Sequence, residues 1–161
     1  MQASGTFACG PTLASTCKYL EAAPTTGTSA WVDQNYLWSG NTTGSIGSSA
    51  SGVSIGTGYS NTLAIVGQSG GGDTSGRAAT VTRAYRGPNG LSDWFLPSQN
   101  EVYELHLNNV LVSLGESFDD FWSSTEGGST SALITWNHGD GSFYGNEKDT
   151  LNAVRPIRAF G

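Results

Sequence analysis

At 161 residues the chain is long enough to close one core without external staples, and its five Trp, six Tyr and six Phe with only 12% charged residues exclude a disordered polyelectrolyte. A formal net charge of −6 with seven scattered Lys and Arg excludes a phosphate-backbone or anionic-membrane partner, so neither nucleic acid binding nor membrane insertion is expected. No run approaches the ~20 apolar residues of a membrane span. Glycine, at 23 residues, together with abundant Ser and Thr points to a loop-rich, hydroxyl-bearing surface of the kind found on secreted and virion proteins.

The opening "MQASGTFACG" lacks the basic and apolar regions of a signal peptide. The expectation is a chain that leaves the cell without a leader, or one from which a leader or stalk has been cut. Cys9 and Cys17 are the only cysteines. Their spacing is not C-x-x-C and no His lies nearby, which disfavours a metal or redox site, while an even count favours a disulfide closing a small loop. Such a bridge implies an oxidising final environment.

Through the first seventy residues, "FACG", "CKYLEAA", "AWVDQNYLW" and "TLAIVGQ" are short apolar runs between Gly, Ser, Thr and Pro, and they read as strands or extended segments. Residues 39–60, "SGNTTGSIGSSASGVSIGTGYS", read as a long ordered loop, because Ile46, Val53, Ile55 and Tyr59 supply anchors that a Gly/Ser linker lacks. Two helices follow. Asp73 and Thr74 can cap one reaching about Tyr85, with Ala78, Val81 and Tyr85 on one face. The second starts in "LPSQNEVYEL", where Ser98 and Glu101 form an S-x-x-E capping box and Val102 and Leu105 follow at helical spacing. From Phe121 onward "FWSST", "SALITW", "SFYGN" and "NAVRPIRAF" read as strands of a small antiparallel sheet. The fold class is α+β, with 1–161 as a single domain.

"SDWFLPSQNEVYEL", then "FWSSTE", a glycine turn and a terminal "VRPIRAF", together with "CKYLEAAP" and "IGTGYSNTLAIVGQSG" upstream, resemble the C-terminal domain family of the Legionella collagen-like adhesin and its bacterial and phage relatives. The resemblance implies a C-type-lectin-like fold, related in architecture to formylglycine-generating enzymes and retroelement-variable proteins. It also implies a place at the tip of a phage tail fibre or surface stalk, a homotrimer, and a virion, extracellular or cell-surface location. Two departures stand out. Trp136 occupies the place where relatives carry a phenylalanine, and the acidic balance argues against sulfated polysaccharide as the ligand.

No catalytic constellation is expected. Formylglycine-type chemistry needs cysteines in the C-terminal half, and a Ser/His/Asp triad lacks its G-x-S-x-G elbow. His106 reads as a helix packing residue. Asp119–Asp120 and Glu147–Asp149 raise calcium, but the Glu-Pro-Asn or Gln-Pro-Asp tripeptide of calcium lectins is missing, so no cofactor is expected. Trp94, Phe95 and Trp122 read as core. Arg155 and Arg158 offer ligand clamps, but the resemblance implies structural cations paired with carboxylates such as Glu101 or Glu126.

Trp136, Asn137, His138, Asp140, Ser142, Tyr144, Asn146 and Lys148 crowd one hairpin, "TWNHGDGSFYGNEK". Trp and Tyr offer stiff contact area, while Ser, Gly and Asn offer adaptable hydrogen bonds, the composition of binding loops. The expected function is therefore a non-enzymatic receptor-binding or adhesin domain that takes a cell-surface glycan or protein. The alternative is a structural decoration or assembly module of a virion or filament.

Overall fold

The computed structural model of the chain describes residues 2–68, 75–114, 120–136 and 141–161, and at residues 2–4, 135 and 136 the backbone alone. The architecture is α+β. The elements run β1 (Gln2–Cys9), β2 (Ser15–Ala22), β3 (Asn35–Tyr36), α1 (Gly58–Val66), α2 (Ala78–Ala84), α3 (Gln99–Leu107), α4 (Asn109–Val112), β4 (Asp120–Glu126), β5 (Ser131–Trp136), β6 (Phe143–Glu147), β7 (Asn152–Ala153) and β8 (Ile157–Phe160). They form a three-stranded sheet, β1-β2-β8, and a five-stranded sheet, β3-β7-β4-β5-β6.

The β1–β2 hairpin is closed by a Cys9–Cys17 disulfide, as the even count suggests. β2 then pairs antiparallel with β8, from Tyr19↔Phe160 to Ala22↔Ile157, so the N-terminal hairpin is bound to the last strand. Ile157 also exchanges two backbone hydrogen bonds with Phe95, 2.9 and 3.1 Å long. That bridge fixes the entry to α3, where Trp94 and Phe95 are buried as expected and Leu96 is buried beside them. "NAVRPIRAF" is not one strand but two, β7 and β8, because Pro156 lacks an amide proton to continue a ladder.

α3 begins at Ser98 with the expected capping box, and Val102 and Leu105 turn inward. The start proposed at Asp73 and Thr74 for the preceding helix lies outside the described residues; within them α2 begins at Ala78 and buries Ala78, Ala79 and Thr82. Tyr85 caps its end in extended conformation and donates its hydroxyl to Ser29 O. α1 corrects the strand reading of "TLAIVGQ". A short apolar run does not distinguish helix from strand by period, and here Asn61, Thr62 and Ile65 share the buried face of a helix.

β4 is the central strand and is buried along most of its length. Alternation sends Trp122 to one core, with Trp38, Ile65, Ile134 and Val154, and Phe121 to the other, with Leu20, Val102, Leu105 and Ile157. Arg155 and Arg158 are structural, but their partners correct the expectation. Arg155 pairs with Asp33 and donates to Val112 O and Ser113 O, while Arg158 chelates Asp93 and reaches Glu21.

Glu101 and Glu126 instead pin the long loop expected over 39–60, which contains one 3-10 turn at Gly47–Ala50 and gives way to α1 at Gly58. Glu101 accepts from Gly56 N–H at 2.8 Å and Ser98 N–H at 2.7 Å. A Cβ on Gly58 would sit 2.2 Å from Glu101 Oε2 and 2.7 Å from Ser98 N, so the close approach of α1 to α3 requires glycine there. Glu126 accepts from Ile46 N–H, Gly47 N–H and the Ser45 hydroxyl.

Candidate functional site

The β5–β6 hairpin forms with the pairs Ser131↔Glu147 through Thr135↔Phe143. Residues directly opposite one another in a ladder share a face, and neighbours along a strand do not. Ile134↔Tyr144 and Trp122↔Ile134 therefore place Tyr144 on the face of the Trp122 core. Asp120↔Trp136 lies one step further along that face. The parallel pair Phe121↔Ala153 sets Asp120 and Asn152 side by side on it, and Tyr36↔Asn152 extends the row to β3. A strip thus crosses the end of the sheet through Tyr36, Asn152, Asp120, position 136 and Tyr144, with Asn146 beside it.

Contacts knit the strip. Tyr144 is 44% exposed and donates its hydroxyl to Asp120 Oδ2 at 2.5 Å. Burial, then the hydrogen bond and charge of Asp120, push the Tyr144 phenol up to about 12, so it stays a donor with its ring held at the surface. Burial also raises the Tyr36 phenol, whose hydroxyl donates to Gln34. Asn146 Nδ2 reaches Asn152 Oδ1 at 3.5 Å, a long contact, and Asn146 Oδ1 accepts from Glu147 N–H. Two buried atoms in the strip, Asp120 Oδ1 and Asn152 Nδ2, have no hydrogen-bond partner among the described residues.

The hairpin is seated on α3 from the opposite face. Phe143 packs against Tyr103, and Tyr103 stacks on His106. Gly141 has φ +74°, and a Cβ there would fall 2.5 Å from the His106 ring and 2.9 Å from that of Tyr103. His106 is therefore a half-buried packing residue, and glycine alone lets the chain return over it.

The candidate residues separate accordingly. Tyr144 and Asn146 lie on the strip, and Ser142 is exposed just before β6. Trp136 is placed by backbone register opposite Asp120. Asn137, His138 and Asp140 lie outside the described residues. Lys148 shares the parity of Tyr144 and Asn146 but not their exposure. It is fully buried, with its ammonium on Glu126 at 2.7 Å, Ser129 O at 2.9 Å and Gly44 O at 3.1 Å, and over the Trp38 ring. The face that is open at Tyr144 is closed at Lys148, which is a scaffold residue. Tyr36, Asp120 and Asn152 join the site only through strand pairing, for which the sequence carries no signal.

The strip offers ring faces, amides and one carboxylate, which is the equipment for holding a ligand. Among the described residues no group of three or more His, Cys, Asp or Glu is arranged to hold a metal ion. No model of a known protein family matches the chain, and no curated protein matches it.

Proposed function

We propose that the protein is a non-enzymatic receptor-binding domain that grips a cell-surface ligand with the strip around Tyr144. The observation that carries the reading is an exposed phenol ring locked by Asp120 on a hairpin that is itself fixed to α3 through Gly141. A stiff aromatic contact loses little entropy on binding. The two buried acids among the described residues, Glu101 and Glu126, are engaged by backbone amides, which supports display rather than catalysis. The pairing of β2 with β8 and the two-sheet α+β architecture support a C-type-lectin-like fold, and with the motif resemblance they favour the tip of a phage tail fibre or surface stalk.

One feature favours assembly as a second role. Leu107, Val110 and Leu111 are exposed at 57%, 92% and 73% along α3 and α4, beside a cleft of about 620 Å³ lined by Tyr19, Leu20, Val112 and Phe160. Such a face suits a homotrimer or virion contact.

The test is binding of the whole protein to a panel of bacterial cells and to a glycan array. Tyr144→Ala should lower binding at least ~tenfold at an unchanged melting temperature, the scale expected of an interface aromatic. Undiminished binding by this variant refutes the assignment.

A further inference from the structure

We propose that the Tyr144 strip takes a neutral sugar and seats one of its hydroxyls between Asn152 and Asp120, an inference that rests on the reading above. The polar groups of the strip form a row with one link missing. Asn146 Nδ2 reaches Asn152 Oδ1 at one end, and the Tyr144 hydroxyl donates to Asp120 Oδ2 at the other. Between them, Asn152 Nδ2 and Asp120 Oδ1 stand on neighbouring strands with no hydrogen bond to each other or to any described residue. Asn152 is only 6% exposed, so its unpaired amide is costly.

One orphan is a donor and the other an acceptor, and that combination selects the ligand. A hydroxyl accepts from the amide and donates to the carboxylate through a single oxygen. An ammonium or guanidinium only donates, so it answers Asp120 and leaves Asn152 unpaired. A sulfate or carboxylate only accepts, and the Asp120 charge opposes it. A peptide amide does both, but with two atoms and a chain on either side, which a residue as enclosed as Asn152 does not admit. The terminal torsions of Asn and Asp are broad, so a small rotation turns both atoms toward the opening at half-buried Asp120. A sugar hydroxyl reaches such a gap while the apolar face of its ring lies on the exposed Tyr144.

The experiment measures binding of the whole protein to bacterial cells that it recognises, either untreated or oxidised with periodate, which cleaves vicinal diols, and then reduced with borohydride. Periodate should lower binding at least ~tenfold, and soluble heparin should not compete. Asn152→Leu keeps the shape and deletes the orphan donor, so it should lower binding about tenfold at an unchanged or raised melting temperature, a split that a purely structural role of Asn152 does not produce. The periodate arm decides the matter if Asn152→Leu fails to fold. Binding that survives periodate, or that heparin abolishes, overturns the proposal. So does full binding by Asn152→Leu, which would leave the gap to a buried water. If Tyr144→Ala still weakens binding in those cases, the receptor reading stands without the sugar. If Tyr144→Ala leaves cell binding intact, the receptor reading falls and takes this inference with it.

Discussion

Glu101 and Glu126 are both enclosed acids that hold backbone amides of the loop over 39–60, yet their carboxyls shift in opposite directions. Among the described residues Glu101 meets backbone amides and the Ser98 side chain, with no cation beside it. Burial pushes it up to about 7, against the pull of hydrogen bonds from Ser98, Gly56 and Gly58. At Glu126 burial also pushes upward, but the Lys148 ammonium and the Ile46 and Gly47 amides outweigh it and the carboxyl ends below its ordinary value. The difference teaches that a cradle of neutral donors positions a loop while leaving the proton in play. An added ammonium fixes the charge as well.

Removing that ammonium should have the largest effect. Lys148→Met leaves the Glu126 side chain, 3% exposed, as a buried charge without a counter-ion. The cost should be about 3–5 kcal/mol in urea unfolding. Glu126→Gln in the same chain should recover a large part of it, since the pair then contains no orphaned charge. A single-variant loss below ~1 kcal/mol would mean that the pair is not the anchor described here.

The next effect is read by pH. Glu101 has a folded value above its unfolded 4.5, so the folded state binds the proton more tightly between 4.5 and about 7. Its contribution is fully present below 4.5 and is lost as pH rises through 7, a change on the order of 3 kcal/mol. Glu126, being lowered, acts in the opposite sense and withdraws its contribution only as pH falls below the ordinary carboxylate range. Urea midpoints should therefore decline from pH 4.5 to 7 in the parent protein and flatten in Glu101→Gln. Equal slopes in the two proteins would show that the amides, not burial, govern Glu101.

These two acids also show where the sequence was legible. Glu101 was identified in its capping box, because S-x-x-E is a local signal whose partners lie three residues apart. Its second role, holding Gly56 across 45 residues, has no local trace. The structural role of Arg155 and Arg158 follows from the resemblance, but not their partners: Glu21 meets Arg158 through the pairing of β2 with β8, while Asp33 and Asp93 reach the two arginines from irregular segments distant in sequence. The strands of the β5–β6 hairpin were readable from aromatic and β-branched runs. The strand pairing, not the composition, puts Tyr144 and Asn146 on one face, and the burial of Lys148 has no sequence signal. α1 escaped because "TLAIV" is too short to declare a period. Tyr36, Asp120 and Asn152 escaped because strand order, not sequence, makes them neighbours of Tyr144.

The smallest expected effect lies at a third carboxylate, Asp120, which faces a phenol at the surface rather than amides or an ammonium in the core. Asp120→Asn removes the charge and weakens the acceptor without altering the ring's packing. Tyr144, pushed up to about 12, should then titrate closer to the ordinary value of 10, visible as tyrosinate absorbance appearing at lower pH. A raised phenol stabilises the fold below 10 and withdraws that support as pH climbs through 12, so the variant should be the less stable of the two below 10 and converge with the parent in alkaline solution. Because Tyr144 is 44% exposed, solvent screens the interaction and the cost near neutrality should stay under ~1 kcal/mol. Ligand binding should fall more than stability does, since the bond acts by holding the ring in one orientation. Tyr144→Phe separates the two contributions: it keeps the ring face and loses the tether, so it should bind more weakly than the parent and better than Tyr144→Ala. A Tyr144 titration unmoved by Asp120→Asn would break the contrast with the buried pair, because the phenol would then owe its shift to burial alone.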